Sequence, residues 1–341
     1  AVERAAGGLP TAFKSEVKGQ GGPGPSVAFI SEYDALPDLG HACGHNIIAT
    51  MGVGAAAALA QFAGDLPGRI LSIGTPAEEG GGGKVKLIDA GIFDDVDAAM
   101  MIHPFQRNVT YRISLNRVRL FMDFHGRPSH ASGAPEKGIN ALDALVATYQ
   151  NVALLRQQLP PTTRIHAIIT HGGSAPNIIP EFASAYFYLR TPDKEFLPEL
   201  LRRVKACAEG AAQAHGARVE FRQDPFIYES MKYNSEMTAL FEANLRALGV
   251  EPDPVDLHDS RDSGSTDMGN VSWKVPSIHP YVKMVPLEVS THTHEFAEAA
   301  GSRPGKDLIR LGAVAMAMTA IDLLTSREKM ASVKRYFEEG V

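Results

Sequence analysis

The chain has 341 residues, which exceeds the size of one ordinary compact domain and predicts two domains. Hydrophobic residues make up 44% and charged residues 21% of the sequence, a composition typical of a globular protein that buries a sizeable core. The formal net charge is -6, and no segment combines clustered lysine and arginine with aromatic residues, so nucleic acid is not expected as a partner.

Two cysteines, Cys43 and Cys207, lie far apart in the sequence, which excludes a disulfide framework and indicates a reducing, cytoplasmic compartment. The first residues show no signal-peptide pattern, as expected for that location. Apolar runs at residues 51–60 and 311–324 are rich in alanine and glycine and are shorter than a membrane span. They predict buried helices, so no membrane partner is expected.

The first third of the sequence alternates predicted strands with predicted helices. Short apolar runs predict strands at residues 27–31, 69–75 and 98–103. An alanine-rich stretch predicts a helix over residues 47–62 that Asn46 could cap, and a shorter helix follows at 84–90. This β-α-β-α-β order predicts a parallel sheet with helices on its faces.

From about Asn116 the order of elements changes. Predicted strands and helices follow in the order β-α-β-β-α-β, at residues 118–125, 139–159, 164–171, 183–190, 197–215 and 218–222. That order is typical of a ferredoxin-like unit. Beyond it come a helix, a strand and a closing helix, at residues 235–248, 277–285 and 306–325. The sequence therefore predicts an α/β domain with a mixed, largely parallel sheet over residues 1–115 and 225–341, interrupted by an inserted α+β domain over 116–224.

Acidic and histidine side chains follow the predicted parallel strands. Asp34 follows the first strand and His103 ends the third, while Glu78 and Glu79 come after the second. In open parallel α/β sheets, functional sites form beyond the carboxyl ends of the strands. Any one of these residues could be a helix cap or a loop acid, but the whole set predicts a metal site.

The segment GHACGHN, at residues 40–46, adds a thiol and two imidazoles just before a predicted helix. Cys43, with His45 two residues later, suits a borderline-soft divalent cation such as zinc. A free cysteine is more often a small buried hydrophobic residue. The neighbouring glycines and histidines favour metal binding over that alternative, because a plain core position would not need them.

The segment PAEEG, at residues 76–80, places two carboxylates side by side. Because adjacent side chains point in different directions, one carboxylate could bind a metal while its neighbour accepts a proton from metal-bound water. The glycines up to Lys84 suggest a phosphate loop, but Glu78 fills a position that requires glycine. Val85 also stands where serine or threonine is needed, so a phosphate loop is excluded.

Two loops of the predicted inserted domain and one loop near the C-terminus carry further polar side chains. His130 follows a predicted strand, Asn177 lies in a loop between two strands, and Arg190 ends the second of these strands. An imidazole, an amide and a guanidinium suit an amide carbonyl and a carboxylate, although each alone is more often a loop or surface residue. His292 and His294 lie in the motif THTH, and either could supply a further metal ligand.

The motifs together resemble the M20 metallopeptidases, and specifically their amidohydrolase branch. The resemblance spans nearly the whole chain in one order, through EYDALP at 32–37, HACGH at 41–45, PAEEGG at 76–81, HP at 103–104, GRPSHA at 126–131, Asn177, Arg190, GSTD at 264–267 and HT at 292–293. The variants SEYDALP and GSTD are similar to those of the aminobenzoyl-glutamate hydrolase and mammalian-type dipeptidase subgroup.

The resemblance implies a hydrolase with two divalent metal ions per subunit, zinc or manganese. The ligands at the matching positions would be Cys43, His45, Glu79, His103 and His292. Glu78 would be the general base, and Asp34 would be a further acid that orients a ligand.

For the inserted domain, the resemblance implies that His130 polarises the substrate carbonyl, in its own subunit or across a dimer. Asn177 and Arg190 would hold the polar end and the carboxylate of the substrate. The inserted domain is expected to move as a lid and to form a homodimer, with hinges near Asn116 and Asp224.

Two positions depart from the pattern of the family. Many members place a metal-binding histidine two residues before the acid that matches Asp34; this chain has Glu32 there, which leaves Glu32 open as an extra ligand. Members also have a substantial segment before the residue that matches Ala1, so an N-terminal segment is expected to be missing from this sequence.

The expected function is metal-dependent hydrolysis of an amide bond by a metal-bound water, with Glu78 as the general base. The substrate would be a small N-acyl amino acid, an aminobenzoyl-glutamate-like conjugate or a dipeptide. Two other classes stay open: an amidase with Cys43 as its nucleophile, and a catalytically inactive M20-like binding protein. The short spacing to His45 argues against the first, and the spare carboxylate of Glu78 argues against the second.

Overall fold

The structure is a computed structural model that describes residues 1–254 and 263–340. The chain divides into two compact units: Ala1–Ser114 with Met231–Val341, and Leu115–Ser230. The second unit extends six residues past the boundary expected at 224. It does so because the backbones of Arg117 and Tyr228 exchange hydrogen bonds of 2.8 and 3.1 Å, which hold this segment on the second unit.

The described residues form short strands and longer helices in alternation. The strands are β1 (Val2–Arg4), β2 (Phe13–Lys18), β3 (Ser26–Glu32), β4 (Arg69–Thr75), β5 (Ala98–Met100), β6 (His103–Phe105), β7 (Asn116–His125), β8 (Arg164–His171), β9 (Phe182–Thr191), β10 (Arg218–Gln223), β11 (Ser277–Ile278) and β12 (Tyr281–Lys283). The α-helices are α1 (His45–Ala60), α2 (Gly83–Asp89), α3 (Ala141–Leu155), α4 (Leu197–Ala214), α5 (Ser235–Ala247), α6 (Met268–Lys274), α7 (His294–Gly301), α8 (Arg303–Thr325) and α9 (Arg327–Glu339).

The first unit is built on a six-stranded sheet with the order β1-β2-β4-β3-β5-β11. Strand β3 is parallel to β4 and β5, and β11 is parallel to β5. Strands β1 and β2 add an antiparallel edge beside β4. The predicted mixed, largely parallel sheet is confirmed. The carboxyl ends of β3, β4 and β5 therefore meet at one edge of the sheet, where the candidate ligands lie.

Helices cover both faces of this sheet, because the side chains of a strand alternate between its faces. Val27 and Phe29 of β3 belong to a core cluster that also contains residues of α1, α5 and α8. Ala28 and Ile30 belong to a second cluster, with residues of α2 and α6. All four side chains are fully buried, as expected for a strand covered on both faces.

The first turn of α1 differs from the prediction. Asn46 does not cap this helix; Gly44 is the N-cap residue, with φ 78°, and no side chain supplies the cap. A Cβ at position 44 would lie 2.4 Å from Cγ of Pro104, so glycine is required by both its φ and the close approach. The Asn46 amide instead donates to the carbonyl oxygen of Ala300, at 3.3 Å.

Two predicted strands are each divided in two. Residues 98–103 form β5 and the start of β6, and residues 277–285 form β11 and β12. Strands β6 and β12 pair in parallel as a separate two-stranded sheet. Pro280 lies between β11 and β12 and has no N–H to continue a ladder, which accounts for the interruption. The break places His103 at the start of a new strand beside the sheet edge.

The second unit is an antiparallel four-stranded sheet with the order β10-β7-β9-β8. Every second residue of β7 and β9 is buried, and α3 and α4 pack on that face. This is the predicted ferredoxin-like arrangement. The long predicted helix at 139–159 is shorter in the structure. It begins at Ala141, where the Asn140 side chain accepts from two backbone N–H groups, and it ends at Leu155 before a 3-10 turn.

One helix of the described residues, α8, is long and apolar enough to cross a membrane by length and composition. It has 23 residues, because residues 303–310 extend the apolar run predicted at 311–324. Half of its most apolar window is buried, and the helix packs against α1, α5, α7 and α9. Core helices of globular proteins share this character, so the packing accounts for the apolar sequence.

Candidate metal centre

The predicted ligands of the first unit gather around the sulfur of Cys43. The Sγ atom lies 3.5 Å from Nε2 of His103 and 3.3 Å from Nε2 of His292. Nε2 of His292 lies 3.5 Å from Oε1 of Glu79. His45 opens α1 two residues after Cys43. The structure thus brings all five predicted ligands together, from two loops and the starts of α1 and β6.

Three groups of side chains have ligand atoms that all lie within 4.8 Å of one another. They are Cys43 with His45 and His103, Cys43 with Glu79 and His292, and His45 with Glu78 and Glu79. Cys43 belongs to two of the groups, so its sulfur could be shared by two cations. His292, and not His294, enters a group among the described residues, because His294 is the first residue of α7.

The protonation states of this cluster suit a cation. Burial raises the pKa of the Cys43 thiol, but the charge and hydrogen bond of His103 and the hydrogen bond of His292 outweigh it and bring the pKa to about 6. Hydrogen bonds with Cys43 and Glu79 raise the pKa of His292 to about 10. Without metal, protons therefore compensate a thiolate and a carboxylate. A thiolate, imidazoles and a carboxylate are the donor set that a borderline-soft divalent cation prefers, so the residues fit such an ion.

Neighbouring backbone and carboxylate groups orient two of the imidazoles. Nδ1 of His103 lies 2.8 Å from the Pro104 carbonyl oxygen, which leaves Nε2 facing the sulfur of Cys43. Nδ1 of His45 lies 3.0 Å from the carbonyl oxygen and 3.3 Å from Oδ1 of Asp34. Oδ2 of Asp34 accepts from the backbone N–H of Glu79, at 2.9 Å. Asp34 therefore lies where it orients one ligand and holds the loop of another.

Glu78 is the buried carboxyl beside the ligands. Its side chain is 9% exposed. Burial and the nearby carboxylates of Glu32 and Asp267 raise its pKa well above the ordinary value. A carboxylate with a raised pKa accepts a proton from water more readily, which is what a general base requires.

Two residues of the site have left-handed backbone conformations that glycine ordinarily adopts. Ala77, directly before Glu78, has φ 62°, and His292 has φ 65°. For residues with a Cβ, this conformation costs roughly 1–2 kcal/mol. The backbone N–H of His292 donates to the Ala42 carbonyl oxygen, at 2.8 Å, which ties the strained residue to the segment that carries Cys43.

The second unit contains the other predicted site residues, at opposite ends of its sheet. His130 and Asn177 are adjacent, because the N–H of Ala131 donates to the Asn177 carbonyl oxygen at 3.0 Å. Nδ1 of His130 accepts from the N–H of Gly133, at 3.0 Å, so a proton on the neutral ring resides on Nε2. Both residues lie beyond the end of the β7–β9 ladder at which His125 pairs with Phe182.

Arg190 lies near the other end of that ladder, where it pairs with Arg117. Its guanidinium carbon is 5.4 Å from the centroid of the Tyr188 ring. Burial and the charge of Arg117 lower the pKa of Arg190. A carboxylate bound here would offset both effects. Within one chain, the structure therefore brings His130 and Asn177 together but does not bring Arg190 to them.

Three buried charged or polar side chains near the ligands were not predicted as site residues. Lys84 lies in α2 and forms ion pairs with Glu32 and Asp267. His279 follows β11, and its ring centroid lies 5.8 Å from that of His103. The strand-end rule that identified His103 also applies to His279. Lys84 lies three residues before buried Leu87, on the same face of its helix, and this spacing is the signal for a buried lysine.

Comparisons with known proteins agree with this geometry. The chain is 41% identical over 339 residues to the Xaa-Arg dipeptidase of Mus musculus, with 97% of this chain and 78% of that protein covered. It is 28% identical to a p-aminobenzoyl-glutamate hydrolase of Escherichia coli, with 94% and 81% covered. Its fold matches that of a Bacillus subtilis protein described as a dinuclear metal binding peptidase from M20 family, with a TM-score of 0.67, 20% identity, and 95% and 88% of the two chains covered.

The model of peptidase family M20/M25/M40 matches residues 28–311, which include all of the predicted site residues. The identity to the mouse dipeptidase extends over nearly the whole chain. The chain therefore belongs to peptidase family M20/M25/M40 and is a metallo-amidohydrolase of that family.

Proposed function

We propose that this protein hydrolyses the amide bond of a small substrate with a free carboxylate, and that a dipeptide is the preferred class. N-acyl amino acids and aminobenzoyl-glutamate-like conjugates are the related alternatives. The observation that carries the proposal is the pair of ligand groups that share Cys43, with the buried carboxyl of Glu78 beside them. The similarity to an Xaa-Arg dipeptidase supports a dipeptide with arginine at its C-terminus.

In this proposal, two divalent cations, zinc or manganese, are held by Cys43, His45, Glu79, His103 and His292. When bound, such ions polarise a substrate carbonyl and lower the pKa of water. The protein's own contribution is the orientation of these side chains. Asp34 fixes the ring of His45, and the Pro104 carbonyl fixes the ring of His103.

Glu78 acts as the general base. Its carboxylate takes the proton of the attacking water, and the acid so formed then gives this proton to the leaving amine. The raised pKa of Glu78 suits both halves of the transfer, because an ordinary glutamate would hold the proton too weakly to deliver it. Nε2–H of His130 would donate to the developing oxyanion, and removal of one such donor typically costs about 3 kcal/mol in the barrier.

We further propose that His130 and Arg190 serve different active sites of a homodimer. Strand β9 has ten residues, which span roughly 30 Å at about 3.4 Å per residue. Arg190 lies near one end of β9, and His130 lies beyond the other end, so about 25 Å or more separates them. An extended dipeptide is only about 7 Å long. Therefore one chain cannot place both side chains on the same substrate.

The Glu78→Gln variant tests the mechanism. We expect it to lose turnover of a dipeptide that ends in arginine, because the amide cannot accept a proton, while it still binds two equivalents of zinc or manganese. Turnover would be followed by release of arginine, and metal content by elemental analysis of the dialysed protein.

Glu79→Gln is the matched control, since the same change one residue later removes a proposed ligand and should lower the metal content. Wild-type turnover by Glu78→Gln would contradict the assignment of the base. Normal metal content in Glu79→Gln would contradict the assignment of the ligand.

A further inference from the structure

A fully buried lysine lies between two fully buried carboxylates next to the metal centre. Nζ of Lys84 is 2.6 Å from Oε2 of Glu32 and 2.7 Å from Oδ1 of Asp267. The side chains are 0%, 1% and 0% exposed, respectively. Burial alone would lower the pKa of Lys84, but the charges of Asp267 and Glu32 outweigh burial and raise it. Lys84 is therefore a permanent internal cation.

Both ends of Lys84 are held in place. Its backbone N–H donates to Oδ2 of Asp267, at 2.9 Å, while its ammonium donates to Oδ1 of the same carboxylate. The backbone contact lies in the first turn of α2, where a carboxylate satisfies an otherwise unpaired N–H. A long side chain clamped at both ends loses the freedom that usually makes lysine a poor positioning group.

Glu32 connects this lysine to a proposed metal ligand. While Oε2 of Glu32 contacts Lys84, Oε1 lies 3.3 Å from Nε2 of His45. The opposite ring nitrogen of His45 faces Asp34. The imidazole is thus held from both sides, by one carboxylate at the end of β3 and one just beyond it. Glu32 in turn owes its position to Lys84.

The charge on Lys84 also decides what Glu32 can bind. An ammonium 2.6 Å from one oxygen already compensates the carboxylate, and it repels any further cation that approaches the same group. Removal of one member of a buried ion pair leaves an uncompensated charge, which is strongly unfavourable. Glu32 is therefore committed to Lys84 and His45.

We propose that Lys84 is a positioning residue of the metal centre: it holds Glu32 against the imidazole of His45 and keeps Glu32 from becoming a metal ligand. This inference rests on the proposed function, since it concerns a ligand of the same centre. It assigns a role to a lysine that contacts neither metal nor substrate.

The test compares the zinc affinity and zinc stoichiometry of four proteins: wild type, Glu32→Gln, Lys84→Met and the double variant. Affinity is measured by competition with a chromophoric chelator. We expect every variant to bind two equivalents, and one equivalent to bind 10–100-fold more weakly in Glu32→Gln, as is usual when a partner of a metal-bound histidine is lost. The double variant should be no weaker than Glu32→Gln, because Lys84 acts through Glu32.

Lys86→Met is the matched control, because Lys86 lies two residues later in the same helix with an exposed side chain. Its affinity should equal that of the wild type. Cobalt-loaded Glu32→Gln and the double variant should keep the visible absorption bands of the wild type, since the ligand set is unchanged. A general loosening of the fold would alter these bands.

Loss of one zinc equivalent in Glu32→Gln would overturn the inference, because Glu32 would then be a ligand. Unchanged affinity in Glu32→Gln, or a double variant much weaker than Glu32→Gln, would also overturn it. If Lys84→Met alone does not fold, the charge-balanced double variant decides the question. A wild-type protein that binds no zinc would refute the proposed function itself, whereas normal wild-type binding with unaffected variants refutes only the role of Lys84.

Discussion

At the scale of single residues, the thiol of Cys43 is the group whose state depends most on its neighbours. The hydrogen bonds of His103 and His292 bring its pKa to about 6 despite burial, whereas burial raises the pKa of Cys207. Above pH 6, Cys43 is thus a thiolate in the metal-free protein. Thiolates are both the ligand form and the reactive form of cysteine.

We therefore predict that iodoacetamide alkylates Cys43 of the chelator-treated protein with a midpoint near pH 6, and Cys207 only at alkaline pH. Added zinc should protect Cys43, because the sulfur is then bound. Peptide mass spectrometry follows both residues in the same sample, so Cys207 is the internal control.

Identical pH profiles for the two cysteines would contradict this prediction. The same experiment separates the metal mechanism from a cysteine nucleophile. A nucleophile would leave the chelator-treated enzyme active until Cys43 is alkylated, whereas the proposed centre is inactive as soon as metal is removed.

The residues of the site were predictable to different degrees. Asp34, Glu78 and His103 follow parallel strands, and topology alone brings such residues to one edge. The ion pairs of Lys84 join residues 52 and 183 positions away, and no local pattern contains that information. Burial of a lysine depends on partners that only the tertiary fold supplies.

At the scale of elements, the turn between β4 and α2 is the most tightly packed part of the centre. A Cβ at Gly83 would lie 1.7 Å from the carbonyl oxygen of Pro76, which is a severe overlap with backbone. The same turn carries Glu78 and Glu79. Any shift that relieves the overlap must therefore displace the proposed base and one ligand.

We predict that Gly83→Ala lowers the free energy of unfolding by roughly 1–3 kcal/mol and also weakens metal binding. Gly54→Ala in α1 is the control: its Cβ would make an ordinary 3.5 Å contact with Ala313, and alanine should stabilise the helix by about 1 kcal/mol. Urea unfolding and elemental analysis measure the two effects. A Gly83→Ala protein with wild-type stability would refute the packing argument.

The long elements were predicted more successfully than the short ones. Helices α4 and α5 and strands β4 and β8 agree with their predicted ranges to within a residue or two, because their hydrophobic periodicity extends over several turns or pairs. Strands β11 and β12 have two and three residues, which is too few to show a period. Strands β1 and β2 and helices α6, α7 and α9 were missed.

At the scale of the whole molecule, the separation of His130 from Arg190 makes a prediction about pairs of inactive variants. If His130 acts across the dimer, a subunit with Glu78→Gln supplies His130 to the site of a subunit with His130→Ala. Random mixing of equal amounts then gives half heterodimers, each with one intact site, and about a quarter of wild-type activity. Co-expression with two affinity tags and an assay of the mixture measures this.

Glu78→Gln combined with Arg190→Ala is the matched control. Because one chain cannot place Arg190 and His130 on the same substrate, Arg190 then serves its own subunit's site, and this second pair should stay inactive. Recovery with both pairs, or with neither, would contradict the proposed division between subunits.

The two ligand groups that share Cys43 differ in how much of the chain they require. His103 lies only 60 positions after Cys43, so the group of Cys43, His45 and His103 is complete once the N-terminal segment of the first unit has been synthesised. His292 lies 249 positions after Cys43, beyond the entire second unit. At about 5–20 residues per second, it leaves the ribosome on the order of ten seconds or more after His103. One cation can thus bind a nascent chain, while the other must wait for the finished one, so full metal loading marks the completion of folding.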